Sequence, residues 1–474
     1  MLKNKLRALL CGVLALVCVS VRAVEIDDLV LQHGQAGIAL AEKIWSLAEV
    51  GYQENESTAV LQAALKKHGF KIKSGVADIP TAFVASYGDG GTTIGILAEF
   101  DALPGLSQTA SPARNPRVEG AAGHACGHHL FGAASVTAAI AIAQWLEENR
   151  LSGQVKVFGT PAEEGGSGKV YMARAGLFAD VDVVLHWHPG SSNSASPYAT
   201  TSNKSGRFTF RGKAAHAASA PDKGRSALDG VEAMNYMVNM MREHVPQTSR
   251  IHYVITDGGD APNIVPENAQ VYYYVRHPKA DRVVQLFDRV VNAARAAAMG
   301  TETEVDVEVM HGNYPVLPNH SLAKVVDDNM RALGGLTYTE AENEFARTIR
   351  KTMIKPTLSL GSQAIIQPFQ FRQNMGSTDV GDVSWLVPTV GFTTATWVPG
   401  TPAHSWQAVA SGGMSIGHKG MMLAARVLGK TGVDLIQKPD LIKAAMNELH
   451  SARGVGFKYA ALLGDRTPPL DYRN

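Results

Sequence analysis

The feature that most constrains this chain is a repeated local pattern: short apolar runs that stop at ionisable residues. Residues 92–98 run into Glu99-Phe100-Asp101, 154–159 into Glu163-Glu164, 181–185 into His186-Trp187-His188, and 390–397 toward His404. Apolar runs of this length, bounded by turn residues, fit strands covered on both faces. Helical stretches lie among them, at 26–50, 57–68 and the Ala-rich 129–148. Strands alternating with helices predict an α/β fold with a doubly wound, mostly parallel sheet. Ligands bind such sheets beyond the carboxyl ends of the strands, where these polar residues fall.

Near Lys204 the order changes. Segments 206–210, 251–256, 269–275 and 302–310 read as strands, and 226–244 and 280–299 as helices. That β-α-β-β-α-β order is ferredoxin-like. We therefore expect an inserted α+β domain at 204–315, with the catalytic domain at 24–203 resuming over 316–474. A chain of 474 residues, 45% hydrophobic, is long and apolar enough for two cores. Segment 340–372 has weak periodicity and many polar residues, which predicts a long loop or lid.

Lys3, Lys5 and Arg7, the apolar run 9–21 and Val21-Arg22-Ala23 predict a secretory signal peptide over 1–23. The expected location is periplasmic or secreted, with no membrane attachment after cleavage; no later stretch reads as a membrane span. Its removal would leave Cys126 as the one cysteine, unable to form an internal disulfide. A lone thiol in an oxidising compartment is a liability unless buried or occupied by metal. Lys+Arg 44 against Asp+Glu 43 gives a net charge of +1, no single-signed field to attract nucleic acid.

The candidate chemistry sits in Gly123-His124-Ala125-Cys126-Gly127-His128-His129, just before the Ala-rich helix. Cys and His two apart in a Gly-flanked loop can address one metal ion, and thiolate with imidazole suits zinc. The bland alternative is a polar loop with incidental histidines. Glu163 and Glu164 are adjacent, so on an extended backbone they point to opposite sides. One can ligate while the other acts as general base; the alternative is an exposed acidic turn. His186 and His188 share a strand face, and either can ligate. Asp101 is placed to orient a ligand histidine.

The chain resembles the dinuclear-metal amidohydrolases and peptidases that include aminoacylase, hippurate hydrolase and related carboxypeptidases. The motifs are HACGHH at 124–129, AEEGGSGK at 162–169, WHP at 187–189, KAAHAA at 213–218, PNIVPENA at 262–269 and STDVGDVSW at 377–385. AEFDALPGLSQ at 98–108 and GTPAHSWQ at 400–407 are similar to the branch holding the p-aminobenzoyl-glutamate hydrolases. The resemblance runs from about Ile44 to about Ala425.

It implies two divalent metal ions, zinc preferred and manganese possible, held by Cys126, His128, Glu164, His188 and His404. It implies Glu163 as general base and a dimer across which His216 reaches the substrate carbonyl. Asn263 and Arg276 would hold the substrate carboxylate, although Arg276 also reads as a structural ion-pair partner. A Leu-His pair, common among relatives, would select His186; the Trp-His-Pro match selects His188. The implied reaction is hydrolysis of the amide of an N-acyl or N-aroyl amino acid or a dipeptide. The expected partner is a second copy or a paralogous chain. Other readings are an exported dipeptidase, a cysteine hydrolase built on Cys126, and a binding protein that kept the fold without the chemistry. The cysteine hydrolase would leave Glu163-Glu164 without a role.

Overall fold

The computed structural model describes residues 24–473; the predicted signal peptide lies outside the described residues. The strands are β1 (Lys71–Ser74), β2 (Phe83–Asp89), β3 (Thr93–Ala98), β4 (Gly153–Gly159), β5 (Val183–Gly190), β6 (Tyr198–Ala199), β7 (Ser202–Arg211), β8 (Arg250–Asp257), β9 (Asn268–His277), β10 (Glu304–Asn313), β11 (Arg372–Gln373) and β12 (Thr389–Ala395). They form a six-stranded sheet in the order β1-β2-β4-β3-β5-β12, a four-stranded sheet β10-β7-β9-β8, and a short β6/β11 pair.

The large sheet is mostly parallel, as expected: β4, β3, β5 and β12 run together. Sequence periodicity missed its antiparallel edge, β1 and β2. Lys71-Ile72-Lys73-Ser74 carries little apolar signal because it is an exposed edge strand. The helix His128–Glu148 is buried along most of its length against the sheet and the helices Ile26–Leu47 and Ser415–Gln437. By length and composition it qualifies as a membrane span, contrary to the sequence reading; its burial inside the protein makes it a core helix instead. Its alanines let the neighbouring helices approach closely.

The small sheet follows the predicted β-α-β-β-α-β order. Phe208, Phe210, Val271, Tyr273 and Val275 face the helices Ala227–Met241 and Ala280–Gly300 and form a second core. Strand alternation turns Asn203, Ser205 and Arg207 of β7 and Tyr272, Tyr274 and Arg276 of β9 to the opposite face. The register sets Asn203 opposite Arg276, Ser205 opposite Tyr274, and Arg207 opposite Tyr272.

The expected loop at 340–372 is wrong in its first part. Glu340–Arg350 is a helix, opened by a capping box between Thr339 and Glu342. Phe345, Ala346 and Ile349 bury one face against Val398 and Ile416. The apolar face is regular but narrow, and the polar residues around it outweigh it. The Thr-x-x-Glu start signal was present.

Candidate metal centre

The strand ends converge. Residues Glu99 and Asp101 follow β3, Glu163 and Glu164 follow β4, and His186 and His188 lie within β5, His188 two residues from its end. His404 follows β12 on a loop with its own φ at +56°. Cys126 and His128 flank Gly127, the residue before the buried helix. Gly127 has φ +80°, and a Cβ there would stand 2.7 Å from the Pro189 side chain. Only glycine lets the Cys/His loop close against the end of β5.

Cys126 Sγ lies 3.4 Å from His188 Nε2. The other nitrogen of His188, Nδ1, donates to the Pro189 carbonyl at 2.8 Å, which leaves Nε2 with a lone pair in the neutral ring. His128 is set the same way: Nδ1 donates to Asp101 at 2.8 Å. Asp101 also accepts the backbone N–H of Glu164 at 3.0 Å, so one carboxylate orients two neighbours. His404 Nε2 lies 3.0 Å from Glu164 Oε1. Donor atoms of Cys126, His128 and His188 fall within 4.8 Å of one another, and so do those of Cys126, Glu164 and His404. Cys126 belongs to both groups.

Glu99, His128 and Glu163 form a third such group, and His186 is absent from all three. It is buried with its ring over Gly391, where a Cβ would stand 2.2 Å from Nε2, and Tyr198 Oη is 3.5 Å away. His129 also turns away, donating to the Gly412 carbonyl at 3.1 Å. His216, after β7, and Asn263, between β8 and β9, lie on two adjoining exposed loops of the small domain, where Ala217 N–H donates to the Asn263 carbonyl at 3.0 Å. They line no part of the cavity beside the cluster in this chain. Arg276 does line it.

Three residues of the centre carried no sequence signal as a group. Lys169 Nζ is 2.7 Å from both Glu99 and Asp379, and all three side chains are buried. Glu99 Oε2 reaches to 3.0 Å from His128 Nε2. Lys169 and Asp379 are separated by hundreds of residues, so only the fold reveals the pair. Strand-end position was the available hint for Glu99.

Burial pushes the Glu163 carboxyl well above the usual carboxylate range, reinforced by Glu99 and Glu164. Burial likewise raises the Cys126 thiol. Asp101 resists the same burial because His128 and the Glu164 N–H hold it near 2. Burial and His128 push His188 down to about 4. Carboxylates thus crowd a dry site with Lys169 as the one buried lysine among them. Glu99 Oε2, His128 Nε2 and Glu164 Oε1 are buried and make no well-formed hydrogen bond, although Glu99 Oε2 lies 3.0 Å from His128 Nε2 and Glu164 Oε1 lies 3.0 Å from His404 Nε2. Unsatisfied buried acceptors, excess negative charge and a soft sulfur donor fit divalent metal ions. A cation beside them favours the thiolate and carboxylate forms that burial opposes.

Beside the cluster is a cavity of about 500 Å³. Glu163, Glu164 and His404 line one wall, and Arg207, Tyr272 and Arg276 of the small sheet the other. The site therefore joins a metal-ligating floor to a substrate-sized space.

Comparison with known proteins agrees. The model of peptidase family M20/M25/M40 matches residues 95–364. The chain is 38% identical over 450 residues to the B chain of p-aminobenzoyl-glutamate hydrolase from Escherichia coli strain K12, covering 89% of this chain and 94% of that protein. It is 30% identical over 426 residues to the mouse Xaa-Arg dipeptidase, covering 86% and 88%. A dinuclear metal-binding M20 peptidase of Bacillus subtilis shares the fold, with TM-score 0.57 at 17% identity over 86% of this chain and 99% of that one. Fold and site define a metal-dependent amidohydrolase. The chain belongs to peptidase family M20/M25/M40.

Proposed function

We propose that the protein hydrolyses the amide bond between an acyl or aroyl group and an amino acid, with p-aminobenzoyl-glutamate as the first substrate to test. The observation that carries this reading is Glu163: half-buried, beside the ligating cluster, and open to the cavity. Cys126, His128 and His188 would hold one ion, and Cys126, Glu164 and His404 the second; the thiolate favours zinc over manganese. When bound, the ions supply Lewis-acid polarisation of the scissile carbonyl and acidify the attacking water.

The chain's own residues do the rest. Glu163 takes a proton from the water as its oxygen bonds to the carbonyl carbon. It then delivers that proton to the amide nitrogen as the C–N bond breaks, leaving a carboxylic acid and a free amine. Asp101 keeps His128 in one tautomer and holds the Glu164 backbone. Arg276 takes the substrate carboxylate.

We assign His216 and Asn263 to the cavity of a partner chain. The strand β8 is a free edge whose exposed Val254 and Ile255 support pairing there. The partner is a second copy or a paralogue, the latter suggested by the name of the E. coli relative, which is one of two kinds of chain in its hydrolase. The Lys/Arg-led apolar segment at 1–23 supports export to the periplasm or medium.

The test is metal content and hydrolysis measured on the same samples, wild type beside Cys126→Ala, with p-aminobenzoyl-glutamate, hippurate and a dipeptide. About two metals per chain, lost in Cys126→Ala, with cleavage of any one substrate, supports the reading. No metal in a folded, metal-supplied sample overturns it.

A further inference from the structure

The cavity beside the metal cluster is lined by three arginines that have no acid. Arg207, Arg276 and Arg473 all line it. Arginines such as Arg211, Arg426 and Arg466 pair with a carboxylate, while others such as Arg117, Arg174 and Arg453 stack on rings without one. Among the described residues, none of the three cavity arginines has a carboxylate partner, and what sets them apart is that all three line one cavity. Each instead lies over a tyrosine ring: Arg207 over Tyr272 at 5.6 Å, Arg276 over Tyr274 at 5.4 Å, and Arg473 over Tyr472 at 4.9 Å. Stacking holds a guanidinium in place without using all of its donors; Arg276 Nη1 also donates to Ser377 Oγ at 3.0 Å.

Arg473 is fixed from two directions. Its Nη2 donates to the Glu164 carbonyl at 2.6 Å, and Tyr472 Oη donates to the same oxygen at 3.1 Å. Its Nε is buried with no partner. Upstream, Arg466 donates to the Met310 carbonyl at 2.7 Å on β10. The segment from Arg466 to Arg473 thus runs from the small sheet to the backbone of a metal-ligand candidate, and it sets an arginine into the cavity on the way. Arg207 comes from the other side, on the sheet face that alternation exposes.

Unpaired guanidiniums gathered beside one reacting centre call for more than one negative group on the ligand. We propose that Arg207 and Arg473 form a second anion subsite beside Arg276, so that the preferred substrate is an N-acyl amino acid with an acidic side chain. This rests on the amidohydrolase reading above. Arg276 takes the α-carboxylate, and Arg207 and Arg473 take the side-chain carboxylate. A cationic amino acid is repelled from the same place.

The experiment compares p-aminobenzoyl-glutamate with its glutamine and arginine analogues, using zinc- or manganese-loaded full-length protein. Wild type is expected to favour the glutamate substrate over the glutamine one by about tenfold or more in kcat/KM, and to be slowest on the arginine one. Arg207→Ala should raise KM for the glutamate substrate about tenfold with the glutamine substrate nearly unchanged, and Arg473→Ala, which also releases the Glu164 carbonyl, should narrow the glutamate-over-glutamine preference whatever its effect on kcat. Arg207→Glu, on an exposed sheet face that tolerates it, should lift the arginine analogue relative to the glutamate one. Equal wild-type rates on glutamate and glutamine substrates, or losses that fall equally on both in every variant, overturn the subsite while leaving the hydrolase intact. Cleavage of none of the three by metal-loaded protein, nor of hippurate or a dipeptide, removes the hydrolase reading itself.

Discussion

Glu163 and Glu164 show how one dipeptide divides two tasks. Their side chains diverge, so one meets His404 while the other stays beside Glu99 and His128 at the cavity. Glu163→Ala should therefore keep its metal and lose kcat by about 10²–10⁴-fold, whereas Glu164→Ala should lose metal. Metal analysis beside steady-state kinetics checks both; a metal-free Glu163→Ala would sink the division of roles. Gly127 is the other decisive residue. Gly127→Ala combines a positive φ with a Cβ 2.7 Å from Pro189, so the loop must shift. A loss of about 1–3 kcal/mol is expected, with weaker metal retention, read by thermal unfolding and chelator competition. Gly127 stood in the sequence between Cys126 and His128, yet its reason depends on Pro189, which only the fold brings near.

At the scale of elements, the helix Glu340–Arg350 is held by its start. Thr339 accepts from the Glu342 N–H and Glu342 accepts from the Thr339 N–H, while the same carboxylate meets Lys419 and Ser415. Thr339→Ala should cost about 1 kcal/mol, with little effect on chemistry. Chemical denaturation would check it; an unchanged midpoint would mean that tertiary contacts alone fix the helix. The small sheet shows what alternation decides. Val271, Tyr273 and Val275 go inward, so Tyr272, Tyr274 and Arg276 must go outward. The pattern was legible, but an outward face is ordinarily a solvent face. Its role here comes from where the insertion places it.

For the whole molecule, the return from the inserted sheet is closed by Asp382. It accepts the Tyr314 N–H at 3.0 Å and the Tyr459 hydroxyl at 2.7 Å, joining the exit of β10 to the segment beyond residue 453. Burial raises this carboxyl from 3.8 to about 7. The folded state therefore binds the proton more tightly than the unfolded chain. The stability this contributes is full below the unfolded value of 3.8 and is lost as pH rises through about 7. Asp382→Asn cannot ionise, so its melting temperature should fall less than that of wild type between pH 4 and 7; parallel curves would show that the proton is held elsewhere. The composite site proposed above between two chains makes a second claim at this scale. Glu163→Ala and His216→Ala, each nearly inactive alone, should regain about one quarter of wild-type activity when co-refolded, because a mixed dimer holds one intact site. No recovery from a sample shown by light scattering to be dimeric would return His216 to a structural role.

Two features follow from chain-local order: which strands end in donor groups, and the order of elements in the insertion. Both are local: an apolar run and the residue after it are covalent neighbours, and strand period is read within a few positions. Tertiary structure alone decided that His188 rather than His186 meets Cys126, that Lys169 links Glu99 to Asp379, and that Arg473 enters the cavity. Those contacts join residues far apart in the chain. They depend on how helices and sheets stack, and hydrophobic period says which face is buried, not which partner it will find.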